Sequence, residues 1–145
     1  MTTIDEVLAK EADAWARLEA AVQAVPADRR NDGEVVPGWS TQVLFWHCIF
    51  WADYVAQVVE AAAGDLEPPG DDDWDAVNDQ VAADGASMAW DDVIAAGERT
   101  RARVRDAIAS LRPEQLTEDL LGEISGETYE HYDEHATEIA AFAAS

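Results

Sequence analysis

The chain is poor in cysteine, in basic residues and in long apolar runs, and each shortage excludes something. A single cysteine, Cys48, among 145 residues rules out a disulfide within the chain, so nothing demands an oxidising compartment. Nine Lys and Arg, with Lys10 the one lysine, stand against 31 Asp and Glu, for a formal net charge of −22. A surface this negative repels phosphate backbones and anionic lipid, which argues against nucleic acid and membrane as partners. The most apolar run, Val43 to Ala63, is interrupted by His47, Asp53, Gln57 and Glu60 and falls short of a bilayer span. The first residues, MTTIDEVLAKEADAW, are acidic and lack the basic-then-apolar order of a secretory leader. The expectation is a soluble, cytoplasmic protein whose acidity serves solubility or salt adaptation.

What is present is a core. Apolar residues make up 48% of the chain, six of them Trp, which sets it apart from acidic disordered sequences. The length suits one domain spanning 1–145.

Four segments carry helical periodicity. Between Thr3 and Val25, Ile4, Leu8, Glu11, Trp15, Leu18, Val22 and Val25 follow alternating steps of four and three, one face of an α-helix that Pro26 ends. The stretch PADRRNDGEVVPG reads as a loop, and Ser40 is placed to cap a second helix from Thr41 to Ala63 with Val43, His47, Phe50 and Tyr54 on one stripe. Residues 65–87 form a long polar connection with one short helix near Trp74–Ala83, a length that suggests a crossover or a lid. A third helix is expected from Met88 to Leu111, capped by Ser87, with Trp90, Ile94, Gly97, Arg101, Val104, Ile108 and Leu111 in line. After a short acidic linker, a fourth should run from Gly126 to Ala144 on the stripe Ile124, Thr128, His131, His135, Ile139 and Phe142. No segment alternates with period two as a strand would. The fold expected is all-α, a four-helix bundle with one long crossover.

Each stripe carries a polar exception: Glu11, His47, Arg101, and the pair His131 and His135. Buried polar groups are costly unless paired or bound to a metal. His131 and His135 lie four residues apart on one helix face, a spacing that lets both imidazoles reach one cation. His47 lies at a matching depth whether its helix runs parallel or antiparallel to theirs. Three neutral imidazoles fill three of four tetrahedral positions and leave one open, the arrangement of a catalytic metal. The bland alternative gives each histidine its own carboxylate neighbour. HYDEH also has the form H-x-x-E-H of an inverted zinc-protease motif, but only ten residues follow it to hold a further ligand. Di-iron chemistry needs Glu-x-x-His, and positions 128 and 132 are Thr and Tyr. Cys48, turned off the face of His47, reads as a small core residue. Arg101 either binds an anionic substrate or answers Glu11 across the bundle.

Two segments carry a family resemblance. VPGWSTQVLFWHCIFWADY resembles the start of helix two in the DinB-like superfamily, and ETYEHYDEHATEI resembles its fourth helix with the H-x-x-x-H pair. DAVNDQVAADGASMAWDDV is similar to the segment leading into its third helix. The resemblance implies up-down-down-up connectivity and a divalent metal, zinc or nickel, held by histidines that map onto His47, His131 and His135. It also implies thiol-dependent S-transfer to small electrophiles, with a low-molecular-weight thiol as co-substrate. The related mycothiol-dependent maleylpyruvate isomerases often carry Glu where this chain has His131, which argues against transferring their reaction.

Three functions follow in order: a metal-dependent thiol S-transferase or isomerase, a non-catalytic protein that binds or sequesters a small molecule, and an interaction module with incidental histidines. An anionic thiol would need local help from Arg99, Arg101 or Arg103. The generous apolar content leaves room for a homodimer.

Overall fold

The computed structural model describes residues 2–70 and 73–145; Met1 and, within the polar connection, Asp71 and Asp72 lie outside the described residues. The described chain is all-helical: α1 Ile4–Gln23, α2 Thr41–Ala63, α3 Trp74–Ser87, α4 Trp90–Ala109, α5 Glu118–Glu127 and α6 Tyr129–Ala143, with 3₁₀ turns at Ala27–Arg29 and Pro113–Gln115.

Side-chain caps start most of these helices. The hydroxyls of Thr3, Ser40 and Thr117 accept from the backbone N–H groups of Glu6, Val43 and Leu120, and the Asp73 carboxylate accepts from Ala76. Each cap satisfies one of the free donors of a first turn and contributes about 1 kcal/mol. Before α2 the chain turns sharply at Pro37-Gly38, where Gly38 has φ +83° and the Trp39 N–H donates to the Val36 carbonyl at 3.0 Å. Proline followed by a residue with positive φ is the pattern of a type II turn, and it aims the Trp39 ring at α2.

Two apolar clusters hold the helices together. One joins the second half of α1 (Trp15, Leu18, Val22) to the first half of α2 (Leu44, Phe45, Ile49), to Val93 and Ala96 of α4, and to Tyr132 and Ile139 of α6. The other joins Val7 of α1 to Val55 and Val59 of α2, Val104 and Ile108 of α4, and Leu120 and Ile124 of α5. Burying each of these larger side chains contributes about 1.5–3 kcal/mol. Because α2 has neighbours on nearly every side, it is apolar nearly all round, and its histidine is an interior residue.

The structure redraws three of the expected boundaries. The polar connection carries a full helix, α3, through Ser87. Ser87 therefore does not cap the next helix; its hydroxyl donates back to the Asp84 carbonyl at 3.0 Å, and α4 begins at Trp90 without a side-chain cap. The acidic linker before the last helix is itself helical, α5, since Thr117 caps it and Leu120 and Ile124 bury one turn apart. The last helix then begins afresh at Tyr129. Thr128 (φ −121°, ψ −101°) breaks the two apart, with its hydroxyl donating to the Ile124 carbonyl at 2.5 Å.

α3 lies against α2 and fixes one wall of the site. Gln42 Nε2 donates to the carbonyls of Gly85 and Met88, both at 2.8 Å, and Trp51 Nε1 donates to Asn78 Oδ1 at 2.9 Å. The approach is close enough that a Cβ on Gly85 would stand 2.9 Å from Trp46 Cδ1. A residue without a side chain is required there.

Candidate metal centre

α2 delivers His47 from its second turn, and α6 delivers His131 and His135 from its first two. The three imidazoles converge: one ligand atom from each lies within 4.8 Å of the other two. His47 Nε2 stands 3.1 Å from His131 Nε2. Two nitrogens bound at ~2.0–2.1 Å to one tetrahedral cation stand about 3.3 Å apart, so this spacing fits a shared ion with little adjustment. The ring centroids are 4.9 Å (47–131), 5.5 Å (47–135) and 4.6 Å (131–135) apart.

At one of the three rings the hydrogen bonding fits a ligand as well. The His135 Nδ1–H donates to Glu138 Oε1 at 2.5 Å, which leaves the Nε2 lone pair free to face the cluster. His47 Nδ1 and His131 Nδ1 are buried without hydrogen-bond partners among the described residues. Glu127 Oε2 lies 3.7 Å from His131 Nδ1, too far for a hydrogen bond.

Burial also holds two of the rings neutral. Desolvation, reinforced by His135, lowers the His47 pKa to about 4. Desolvation, reinforced by His135 and then His47, lowers that of His131 to about 3. Ligation needs the neutral imidazole, so at both residues protons compete with a metal well below the ordinary histidine range. Glu127 is pushed up to about 7 by burial, then by Glu123 and Glu134 nearby. The three histidines could hold a metal ion, and the residues present fit one.

A cavity of about 390 Å³ opens beside His47 and His131, walled by Trp51, Tyr54, Trp74 and Asn78 on one side and by Glu123 and Glu127 on the other. A second, of about 660 Å³, adjoins it through Tyr54, Glu123 and Glu127 and runs toward Val58, Leu66, Pro68 and Leu120. Most of this wall was not anticipated from sequence. Helical spacing held the signal: Trp51 and Tyr54 follow His47 by four and seven residues, and Glu127 precedes His131 by four. Trp74 and Asn78 sit in the connection, and nothing local ties them to the histidines.

The other polar exceptions lie apart from this cavity. Glu11, fully buried, accepts from Arg105 Nη1 at 2.7 Å and from Arg101 Nε and Nη2 at 3.3 Å. Arg101 lines a separate cleft with Trp15 and Arg105. Arg103 is held by Asp53 and Glu60. Cys48 is buried in the core and its thiol pKa is raised by desolvation, which keeps it protonated.

An all-helical chain with three converging histidines beside an aromatic and acidic cavity defines the class. A family model of the DinB superfamily matches residues 12–144, and the chain belongs to that superfamily. Comparison with curated proteins and with solved structures finds no match.

Proposed function

We propose that this protein is a divalent-metal enzyme of small-molecule chemistry, transferring a thiol to an electrophile or isomerising one with a thiol's help. The observation that carries the reading is the convergence of His47, His131 and His135 on one point at the edge of an open cavity. His47, His131 and His135 would hold zinc or nickel through neutral nitrogens. Bound there, such an ion would supply a Lewis-acid position that lowers the pKa of a thiol.

The remaining roles fall to this chain's own residues. Glu138 orients His135 by accepting its Nδ1 proton. Glu127, which lines the cavity 3.7 Å from His131, would be placed to accept a proton from a thiol held there. Trp51 and Trp74 shield the reacting atoms from water, and the adjoining groove past Val58 and Leu120 accommodates an apolar electrophile.

The scaffold reading that goes with it is a single-domain four-helix bundle, α1 up, α2 and α4 down, α5–α6 up, with α3 in the crossover. Cluster membership supports it: the start of α1 meets the end of α2, the end of α4 and α5, while the end of α1 meets the start of α2, the start of α4 and α6. Among the described residues no helix is long and apolar enough to cross a membrane.

The test is metal content by elemental analysis on untagged protein, alongside His131→Ala. About one divalent ion per chain, lost in the variant, supports the site. Turnover of a chloro-nitroarene with a thiol that stops when the metal is chelated supports the reaction. Stoichiometric metal with no turnover over a panel of thiols would turn the reading toward sequestration.

A further inference from the structure

Beside the two histidines that line it, the cavity is walled by three aromatic rings, Asn78 and two carboxyl groups, with no Lys or Arg among the described residues. Trp51, Tyr54 and Trp74 form one continuous wall, with centroids 5.3 Å (51–74), 5.4 Å (54–74) and 5.5 Å (51–54) apart. Glu123 and Glu127 line the same space. Glu134 acts on Glu127 from α6, and Glu138 is bonded to His135. Two carboxyl groups, Glu123 and Glu127, thus line the cavity, with Glu134 and Glu138 nearby on α6, and the histidines add no negative charge of their own.

Most of the chain's own cations are engaged elsewhere. Arg101 and Arg105 serve Glu11, Arg103 serves Asp53 and Glu60, Arg17 serves Asp133, and Arg112 serves Asp65 and Glu114. Arg30 stacks on Trp90, which packs on Phe45. None of the nine basic residues lines this cavity or the one adjoining it. A ligand that brings its own positive charge therefore suits Glu123 and Glu127. The aromatic wall suits such a ligand, because the face of a Trp or Tyr ring attracts a cation and most strongly one too weakly hydrated to prefer water, such as an alkylated ammonium.

We infer that the molecule bound beside the three histidines is an organic cation, its amine or quaternary ammonium group seated against Trp51, Tyr54 and Trp74 and facing Glu123 and Glu127. This names the substrate class of the site proposed above and rests on that reading for its chemistry. It also explains how a protein of net charge −22 draws its substrate in: the global field attracts a cation to the same cavity that would repel an anionic thiol or electrophile.

The test is a fluorescence titration with choline and with 3,3-dimethylbutan-1-ol, its neutral isostere, at constant ionic strength set with sodium chloride. Trp51 and Trp74 report occupancy. Choline should give a saturable change with a Kd at least about tenfold below that of the alcohol. Trp74→Ala and Glu123→Gln should each weaken choline about tenfold, and Glu123→Gln, on an exposed face of α5, retains the parent circular dichroism. Equal affinity for the two probes, an unsaturable choline response, or Glu123→Gln binding as the parent does would overturn the inference. Zinc binding is measured on the same samples. Zinc bound without choline overturns the cation alone, whereas choline bound without zinc supports it and removes the metal reading.

Discussion

Two polar islands interrupt the core, and they are resolved in opposite ways. At the first, the fully buried Glu11 is met by the guanidinium groups of Arg101 and Arg105, whose outer parts reach water. At the second, His47 and His131 are buried almost as deeply, yet their Nε2 atoms meet only each other, at 3.1 Å, and among the described residues no Lys or Arg lines the cavity beside them. The first island is complete within the chain. The second has room for something added: its three histidines could hold a metal ion, which the first island has no place for.

The largest effect should come from breaking the first. Arg101→Met with Arg105→Met keeps the apolar stems and strands Glu11 in the core. Unfolding stability by urea denaturation should fall by about 3–5 kcal/mol, while zinc binding at the histidines persists. Adding Glu11→Leu to that background should restore most of the loss, because an apolar replacement needs no partner.

The second island should answer in reverse. His131→Gln should leave metal-free stability within about 1 kcal/mol of the parent, since Nδ1 has no partner and only the Nε2 contact with His47 is lost. Zinc at a hundred times its Kd should raise parent stability by about 2.7 kcal/mol and raise that of the variant hardly at all. Thermal melts with and without zinc read both quantities.

How far these islands were visible in the sequence follows from what makes each visible. All four polar exceptions stood out because they broke a stripe of alternating threes and fours, a local signal. Glu11 and Arg101 were read as alternatives, an ion pair or an anion site, and the structure places them in contact. The second partner, Arg105, lies one turn beyond Arg101 and was not recognised. The three histidines could be grouped by depth along their helices without knowing helix direction, so their convergence was legible. The cavity wall was less so. Trp74 and Asn78 come from the segment least constrained by periodicity, and Glu123 and Glu127 come from α5, which its two glycines and acidic run made resemble a linker. The Thr117 cap and the one-turn spacing of Leu120 and Ile124 are the signals that mark α5 as helix.

Acid separates the islands without mutation. In the metal-free protein the folded pKa values of His47 and His131, about 4 and about 3, lie below that of an unfolded histidine near ~6.5. As pH falls below 6.5 the unfolded chain takes up protons that the folded chain refuses, so stability falls with it. Between pH 6.5 and 5.5 each histidine contributes a loss of about 1 kcal/mol, about 2 for the pair. Saturating zinc should raise stability at both pH values and leave that loss in place, because the loss arises from protons taken up by the unfolded chain. Urea denaturation at the two pH values measures both.

The smallest effect isolates Glu127, whose sign is opposite. Its folded pKa, about 7, lies above that of an unfolded glutamate near ~4.3, so the folded chain binds its proton first. The stability this gives is fully present below the unfolded pKa and is lost as pH rises through 7. Between pH 6.5 and 5.5 Glu127 therefore offsets part of the histidine loss. Its side chain is 35% exposed, and solvent screening holds the offset below about 1 kcal/mol. Glu127→Gln removes the offset and leaves the histidines as they are, so the variant should lose more stability on acidification than the parent, by up to that amount. An unchanged slope would mean that Glu127 already has a cationic partner in solution. The second island would then be closed within the chain, as the first is.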